Sequence, residues 1–466
     1  MDRANRTWAV VLMAAAGCFF ASPTPGADGG QSPIPNSQFP IEKRLDQSIT
    51  LAARYLVRKQ GADGAWRSET YGCFKDGASL TPLVMSSVFF MPQGGAVMKQ
   101  SYKRGVSYLV RMVAEDGSIK TGEYGLNFPV LLAAMASRVV ALLEKTPRNA
   151  AAQQAWLKLL RSYQLIAALG WAPSDAEFGG WGFALKPPRK PKPGEMREEF
   201  AESNMVATIF GIAGLRSAKL PADDPVWKEV LTFVERCQNY PEEPSAQGTV
   251  RSAASAAPLR SAAEATGGDA KFDDGGFFFI PTDPLQNKAG VAGTDKFGRT
   301  RFHSYGSMTA DGIRALIRCG LPPDHPRVVA ARKWLEANFS VKHVPGRYEP
   351  DREILRDATY YYWCWSVAHA FGELGIGDIA LTPGEASGQK ATSKHSRVWW
   401  AETLAEELIS RQRPDGSWVN RYTDAKEDDP LVATAWAAAA LAICREVITG
   451  EIKELVPRRS LRPVPG

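Results

Sequence analysis

From residue 45 onward, amphipathic stretches with apolar positions three and four apart alternate with stretches that are apolar nearly all round and rich in small residues. The second kind predicts helices over 80–90, 126–143, 203–217, 305–318, 357–374 and 430–447. The last contains 433–441, Ala-Thr-Ala-Trp-Ala-Ala-Ala-Ala-Leu, which has no polar face and therefore reads as buried. Small side chains let neighbouring helices approach closely, as an inner ring of limited radius requires. Asp-Gly pairs at 63–64, 116–117, 274–275 and 415–416 supply turns between the two helices of each pair. No stretch reads as a sheet.

The turns carry a repeated frame. Leu56, Gln60, Gly64 and Trp66 are spaced Leu-x3-Gln-x3-Gly-x-Trp, and Leu408, Gln412, Gly416 and Trp418 repeat that spacing. Leu109, Val113, Gly117 and Ile119 fit it with Val for Gln and Ile for Trp. Phe233, Gln238, Gly275 and Phe277 form a fourth copy with a long insertion. Trp334-Leu335, Phe339, Gly346 and Tyr348 form a fifth, and Trp156-Leu157 followed by Gly179-Gly180-Trp181 a sixth. Six helical hairpins, each an outer helix followed by an inner one, predict an all-α fold: an (α/α)6 toroid.

The Gln…Gly-x-Trp frame resembles the QW repeat of squalene cyclases, and the architecture is similar to the terpenoid-cyclase and protein-prenyltransferase toroid superfamily. The resemblance covers roughly 45–450. It implies a central cavity, and it implies that Gln60, Trp66, Gln412 and Trp418 are stabilising residues: the Gln satisfies backbone groups at a helix end and the Trp stacks over it.

The N-terminus changes the expected compartment. Arg3 and Arg6 precede an apolar run over 8–20 and a small, Pro-rich stretch, the order of a secretory signal. The expected organisation is a signal peptide over 1–27, a linker over 28–44, the toroid over 45–450 and a basic, Pro-rich tail over 451–466. Export to the periplasm or cell surface follows, with lipid anchoring at Cys18 as a weaker alternative. No later segment reads as a transmembrane span. The loop 281–304 is long enough to cover one mouth of the ring.

Across 466 residues, 56 Lys and Arg stand against 50 Asp and Glu, and the net charge of +6 is too small to indicate nucleic-acid binding. Without the signal, Cys73, Cys237, Cys319, Cys364 and Cys444 remain, an odd number set largely in apolar patterns, so no disulfide framework is expected. No Gly-rich phosphate loop occurs, and no cofactor is expected.

Three chemistries could occupy such a cavity. The resemblance implies cyclase chemistry from a DxDD acid. Lys271-Phe272-Asp273-Asp274 and Lys426-Glu427-Asp428-Asp429 come near it, but each has Lys at the first Asp. Asp429 precedes an inner helix, where an acid also serves as an N-cap. Zinc chemistry fails on geometry: His369 lies about 140° around the helix from Cys364, away from Asp357, so no metal site is expected. Glycan hydrolysis or lyase chemistry needs two carboxylates, or a base with a cation. Asp311 and Asp357 are acids at inner helices, with Arg299, Arg301, His303 and Tyr305 just upstream; an Asp311–Arg314 ion pair explains the first equally well. In the aromatic run 360–365, one helical rotation turns Tyr361 and Trp365 to the cavity.

The sequence thus nominates Asp311, Asp357 and Asp429 as acids and His303, Tyr305, Tyr361 and Trp365 as ligand-binding residues. The expected function is binding of an isoprenoid lipid or a cell-envelope polymer in an aromatic-lined cavity, without demonstrated catalysis. A cyclase-like isomerase using a buried Asp, and a polysaccharide lyase or hydrolase, are the enzymatic alternatives. A cavity filled by side chains favours an interaction toroid instead. Oligomeric state is left open.

Overall fold

The computed structural model describes residues 39–88, 91, 95–121, 125–143, 145–241, 271–380 and 397–450. The expected signal peptide over 1–27, Cys18 within it, and the expected tail over 451–466 lie outside the described residues. Among the described residues, twelve α-helices alternate between two rings. The outer ring is α1 (Ile41–Arg58), α3 (Gly95–Arg111), α5 (Pro147–Arg161), α7 (Pro225–Arg236), α9 (Pro326–Asn338) and α11 (Trp400–Ser410). The inner ring is α2 (Leu80–Val88), α4 (Pro129–Ala141), α6 (Met205–Ser217), α8 (Gly306–Arg318), α10 (Tyr360–Leu374) and α12 (Pro430–Thr449). Each inner helix packs on the next, and α12 packs back on α2, so the ring closes. The fold is an (α/α)6 toroid.

Burial follows the sequence pattern. Every residue of α8 from Gly306 to Ile317 is buried, whereas α1 buries one face only. Among the described residues α12 is the one helix long and apolar enough to cross a membrane. Its apolar surface is covered instead by α1, α2, α10 and α11.

Two boundaries differ from expectation. The fourth helix starts at Pro129 because Phe128 sits in the left-handed region, φ 50°. Residues Pro350–Thr359 form a 3-10 stretch, so α10 begins at Tyr360 and Asp357 precedes it. Two short antiparallel ladders also occur where no strand was expected: β1 (Val291–Thr294) with β2 (Thr300–Phe302), and β3 (Asp378–Ala380) with β4 (Arg397–Trp399). Both join inter-helix segments and leave the rings intact.

The repeated frame is a clasp between successive hairpins. Gln60 Nε2 donates to the carbonyl of Gly64 within its own turn (2.9 Å) and to that of Ser101 in the next outer helix (2.9 Å). Gln238 does the same to Gly275 (3.0 Å) and Arg327 (2.9 Å), and Gln412 to Gly416 (3.0 Å) and Ser48 (3.0 Å). The indole N–H of Trp66 donates back to Leu56 O (2.7 Å), and that of Trp418 to Leu408 O (2.8 Å). Helix-end carbonyls that a buried terminus would orphan are satisfied in this way. The backbone N–H of four frame aromatics donates to an inner-helix threonine hydroxyl: Trp66 to Thr81, Trp181 to Thr208, Phe277 to Thr309 and Trp418 to Thr434. Outer helix, turn and inner helix are thereby tied at one point.

The sixth copy is anchored differently from its sequence reading. Gln164, four residues after Leu160, donates to Gly179 O (3.0 Å), and the indole of Trp181 donates to Leu160 O (2.9 Å). Leu160-x3-Gln164 is the frame, and Trp156-Leu157 lies one turn earlier.

Candidate functional site

The centre of the toroid is built from α8 and α10 first. Asp311 and Arg314, one turn apart on α8, form an ion pair of 2.8 Å, and both are buried. From α10, Ser366 Oγ donates to Asp311 Oδ1 (2.6 Å) and Tyr362 OH to Asp311 Oδ2 (2.6 Å). Burial pushes the Asp311 carboxyl above the usual carboxylate range, against the opposing pull of Arg314, Ser366 and Tyr362. The Arg314 guanidinium lies 4.3 Å from the centroid of the Trp365 ring.

Aromatic rings from three inner helices occupy the middle. Trp365 of α10 stands 4.7 Å from Trp436 of α12 and stacks on Phe210 of α6 at 5.9 Å. Tyr362 meets Trp436 edge-on at 5.3 Å. His369 contacts Trp365 at 5.0 Å, and burial, with Arg314, Arg318 and Arg138, holds its pKa well below the usual imidazole value. What remains open among Leu83, Met135, Arg138, Phe210, Trp365 and Trp436 is about 10 Å³. That is room for about one water molecule. The expected aromatics are there, and among the described residues they leave little of the expected cavity open.

The rotation of α10 also differs from the sequence reading. Tyr362, Trp365, Ser366 and His369 face the centre, at the i, i+3, i+4, i+7 spacing of one helical face. Tyr361 points elsewhere, its ring against Tyr360 at 5.1 Å and its hydroxyl donating to Val419 O at 3.5 Å.

A second polar group lies at the N-terminal ends of the inner helices. Asp429 caps α12, accepting the Leu431 N–H (2.8 Å) and a short bond from Ser68 Oγ. Asp428 accepts the Tyr71 hydroxyl on both oxygens (2.6 and 2.7 Å). Glu427, wholly buried, accepts the N–H groups of Tyr361 (2.9 Å) and Tyr362 (2.8 Å) at the start of α10, and Asn420 Nδ2 (3.0 Å). Burial outweighs these donors and pushes the Glu427 carboxyl up to about 7. Asp357 accepts the Val344 N–H at 3.3 Å, and its carbonyl accepts from Asn420 (2.8 Å). Residues 420–429 thus stitch the segment before α2, at Ser68 and Tyr71, to α10 and α12. Sequence reasoning missed Glu427, which stands second in the Lys426–Asp429 run.

Of the upstream nominees, His303 lies apart from both groups, whereas Tyr305 is near enough to Asp311 to feel its charge. Tyr305 is buried at the start of α8, its ring 6.0 Å from that of Tyr348. His303 is half-buried in the 281–304 segment, its N–H donating to Gly290 O (3.1 Å), and burial lowers its pKa. That segment is clamped by Arg301 to Asp273 (2.6 Å) and by Lys288 to Asp424. Asp274 accepts from Ser304 (2.7 Å), Gly276 (3.0 Å) and Trp334 (3.1 Å), as its turn requires. Of the seven nominated residues, only Asp311 and Trp365 meet at the centre, while Asp357, Asp429 and Tyr361 share the 420–429 seam. Among the described residues no group of three His, Cys, Asp or Glu side chains could hold a metal ion, and the five described cysteines are buried.

Comparison with known proteins adds a likeness in chain course. No family model matches this chain, and no curated protein matches it. Among solved structures, the type II terpene cyclase MstE from Scytonema, in complex with its substrate geranylgeranyl dihydroxybenzoate, is similar over 88% of this chain and 99% of that one, at 12% identity and a TM-score of 0.47. The same cyclase without ligand is similar over 86% of this chain and 98% of that one, with 12% identity and a TM-score of 0.47. A protein from Actinoplanes is similar over 86% of this chain and 99% of that one, with 12% identity and a TM-score of 0.44. The toroid itself rests on the closed ring of inner helices described above.

Proposed function

We propose that this protein is an exported, non-catalytic toroid that binds a cell-envelope polymer on its outside, with its interior serving as a packed hub. The observation that carries this reading is the filled centre: about 10 Å³ remains where a bound organic ligand needs ~300 Å³ or more. Asp311 supports it as well, since its carboxylate is consumed by Arg314, Ser366 and Tyr362 within the ring. Asp429 acts as a helix cap and Asp357 as an acceptor for a backbone N–H, roles that account for both acids without a substrate. Export is supported by the basic, apolar, then small order of residues 1–27.

Native mass spectrometry of the mature protein from a lipid- and glycan-bearing host tests this. A mass free of isoprenoid is expected. A stoichiometric isoprenoid would overturn it in favour of a second reading, a cyclase-like isomerase. One observation favours that reading: Asp311, an acid with a raised pKa, lies beside Tyr362, Trp365, Trp436 and Phe210, rings suited to stabilising a cation.

A further inference from the structure

Charge is distributed unevenly around the outer ring. Helix α3 carries Lys99, Lys103, Arg104 and Arg111 and no acid, and its neighbour α5 carries Arg148, Lys158 and Arg161 and no acid. Elsewhere on the ring cations meet carboxylates: Arg44 of α1 pairs with Glu406 of α11, Arg332 with Glu336 in α9, and Arg411 with Glu407 beside α11. Among the described residues, Arg104, Arg111 and Arg148 are held by neutral acceptors, whereas Arg161 lies near enough to Glu229 for the two charges to interact. Arg104 donates to the Gln60 side-chain oxygen, Arg111 to Asp63 O (2.7 Å), and Arg148 to the carbonyls of Val110 and Val113. These bonds fix the side chains in place and leave their charge uncompensated. The lysines Lys99, Lys103 and Lys158 are exposed.

A groove of about 380 Å³ runs between α3 and the first repeat turn, lined by Gln100, Lys103, Arg104, Ser107, Arg111 and the 62–63 turn. Its one carboxylate, Asp63, is engaged by Arg67 at 2.6 Å. The exposed acids Glu115 and Asp116 lie beyond the end of α3. Lys99 and Lys103 are one helical turn apart, and Arg111 follows two turns later, so positive charge recurs every ~6–12 Å along the axis. Gln100 and Ser107 add neutral hydrogen-bonding groups between the cations. The lining holds no aromatic ring on which a base could stack and no apolar strip that could enter a bilayer.

We infer that the groove between α3 and the first repeat turn, with the basic helix α5 beside it, is the docking surface for an anionic polysaccharide, whose carboxylates meet Lys103, Arg104 and Arg111 and whose hydroxyls meet Gln100 and Ser107. This deepens the proposed function and rests on it for the class of partner; the groove itself is independent of what the centre holds.

Isothermal titration of the mature protein with polygalacturonate tests the assignment, with neutral dextran as the control. Binding that weakens steeply between about 0.05 and 0.5 M salt is expected. The double variant Lys99→Glu/Lys103→Glu, in which both side chains are exposed, should lose about tenfold or more in affinity with an unchanged melting temperature. Lys228→Glu on α7 should bind like the parent protein. Absence of binding at low salt, or equal binding by the double variant, would overturn the proposal. So would single-stranded DNA or anionic vesicles binding as tightly as polygalacturonate with the same loss on charge reversal. An isoprenoid in the centre would overturn the filled-hub reading alone, whereas failure of polygalacturonate would overturn this assignment alone.

Discussion

Gln412 and Ser48 exchange two hydrogen bonds across the seam of the ring: Gln412 Nε2 donates to Ser48 O (3.0 Å), and Ser48 Oγ donates to Gln412 Oε1 (2.7 Å). They are 364 residues apart, so this pair joins the last hairpin to the first. Gln412→Ala would leave the buried carbonyls of Ser48 and Gly416 without this donor, and a loss of about 2–4 kcal/mol is expected in urea denaturation. A loss under 0.5 kcal/mol, within the range of a neutral surface change, would show that closure does not depend on the clasp.

The glycine of the frame is constrained twice in some copies and once in another. Gly416 has φ +92°, and a Cβ there would lie 2.4 Å from Leu51 O in α1. Gly117 has φ +80° with nothing within 4 Å of such a Cβ. Gly117→Ala should therefore cost only the left-handed penalty, about 1–2 kcal/mol. Gly416→Ala should cost clearly more, because α1 must also move. Equal melting temperatures for the two variants would contradict this.

Much of this was legible in the sequence because the repeat is local. The inner helices begin within three residues of their expected starts because small, all-apolar stretches and the turns before them leave few alternatives. The frame residues Gln60–Trp66 and Val113–Ile119 are even paired in isolated β-bridges, as their shared spacing suggests. Gln164, which binds Gly179, escaped because Trp156-Leu157, one turn earlier, resembles the start of the Trp334-Leu335 copy. The filled centre escaped for a different reason: Phe210, Trp365 and Trp436 come from three helices, and periodicity within one helix does not reveal how rings from others interdigitate. The facing of α10 was misjudged by one residue, since Tyr361 and Tyr362 are equally apolar neighbours.

Asp311 and Arg314 test whether the interior acid is structural. Asp311→Ala strands a buried guanidinium, and a loss of about 3–5 kcal/mol is expected. The double variant Asp311→Leu/Arg314→Met should recover most of it, because the unpaired charge is removed with its partner. Chemical denaturation of the two variants decides, and a double variant no more stable than Asp311→Ala would contradict the structural role.

Glu427 gives the fold a pH dependence of definite sign. Its carboxyl titrates at about 7 in the folded protein against 4.5 in the unfolded chain. Between those values the folded state holds a proton that the unfolded state has lost. Its contribution is therefore fully present below about pH 4.5 and is lost as pH rises through about 7, on the order of 3 kcal/mol in total. Glu427→Gln cannot titrate, so the stability difference between parent and variant should shift across this window in the variant's favour. A difference independent of pH would contradict the assignment.

The filled centre is the claim on which the functional account turns, and titration of the mature protein with geranylgeraniol, followed by tryptophan fluorescence, probes it directly. Trp365 and Trp436 sit where such a chain would have to enter, so binding there would perturb their emission. No saturable change is expected for the parent protein, because the space open beside these rings is far smaller than such a chain needs. Saturable one-to-one binding by the parent protein would contradict that claim.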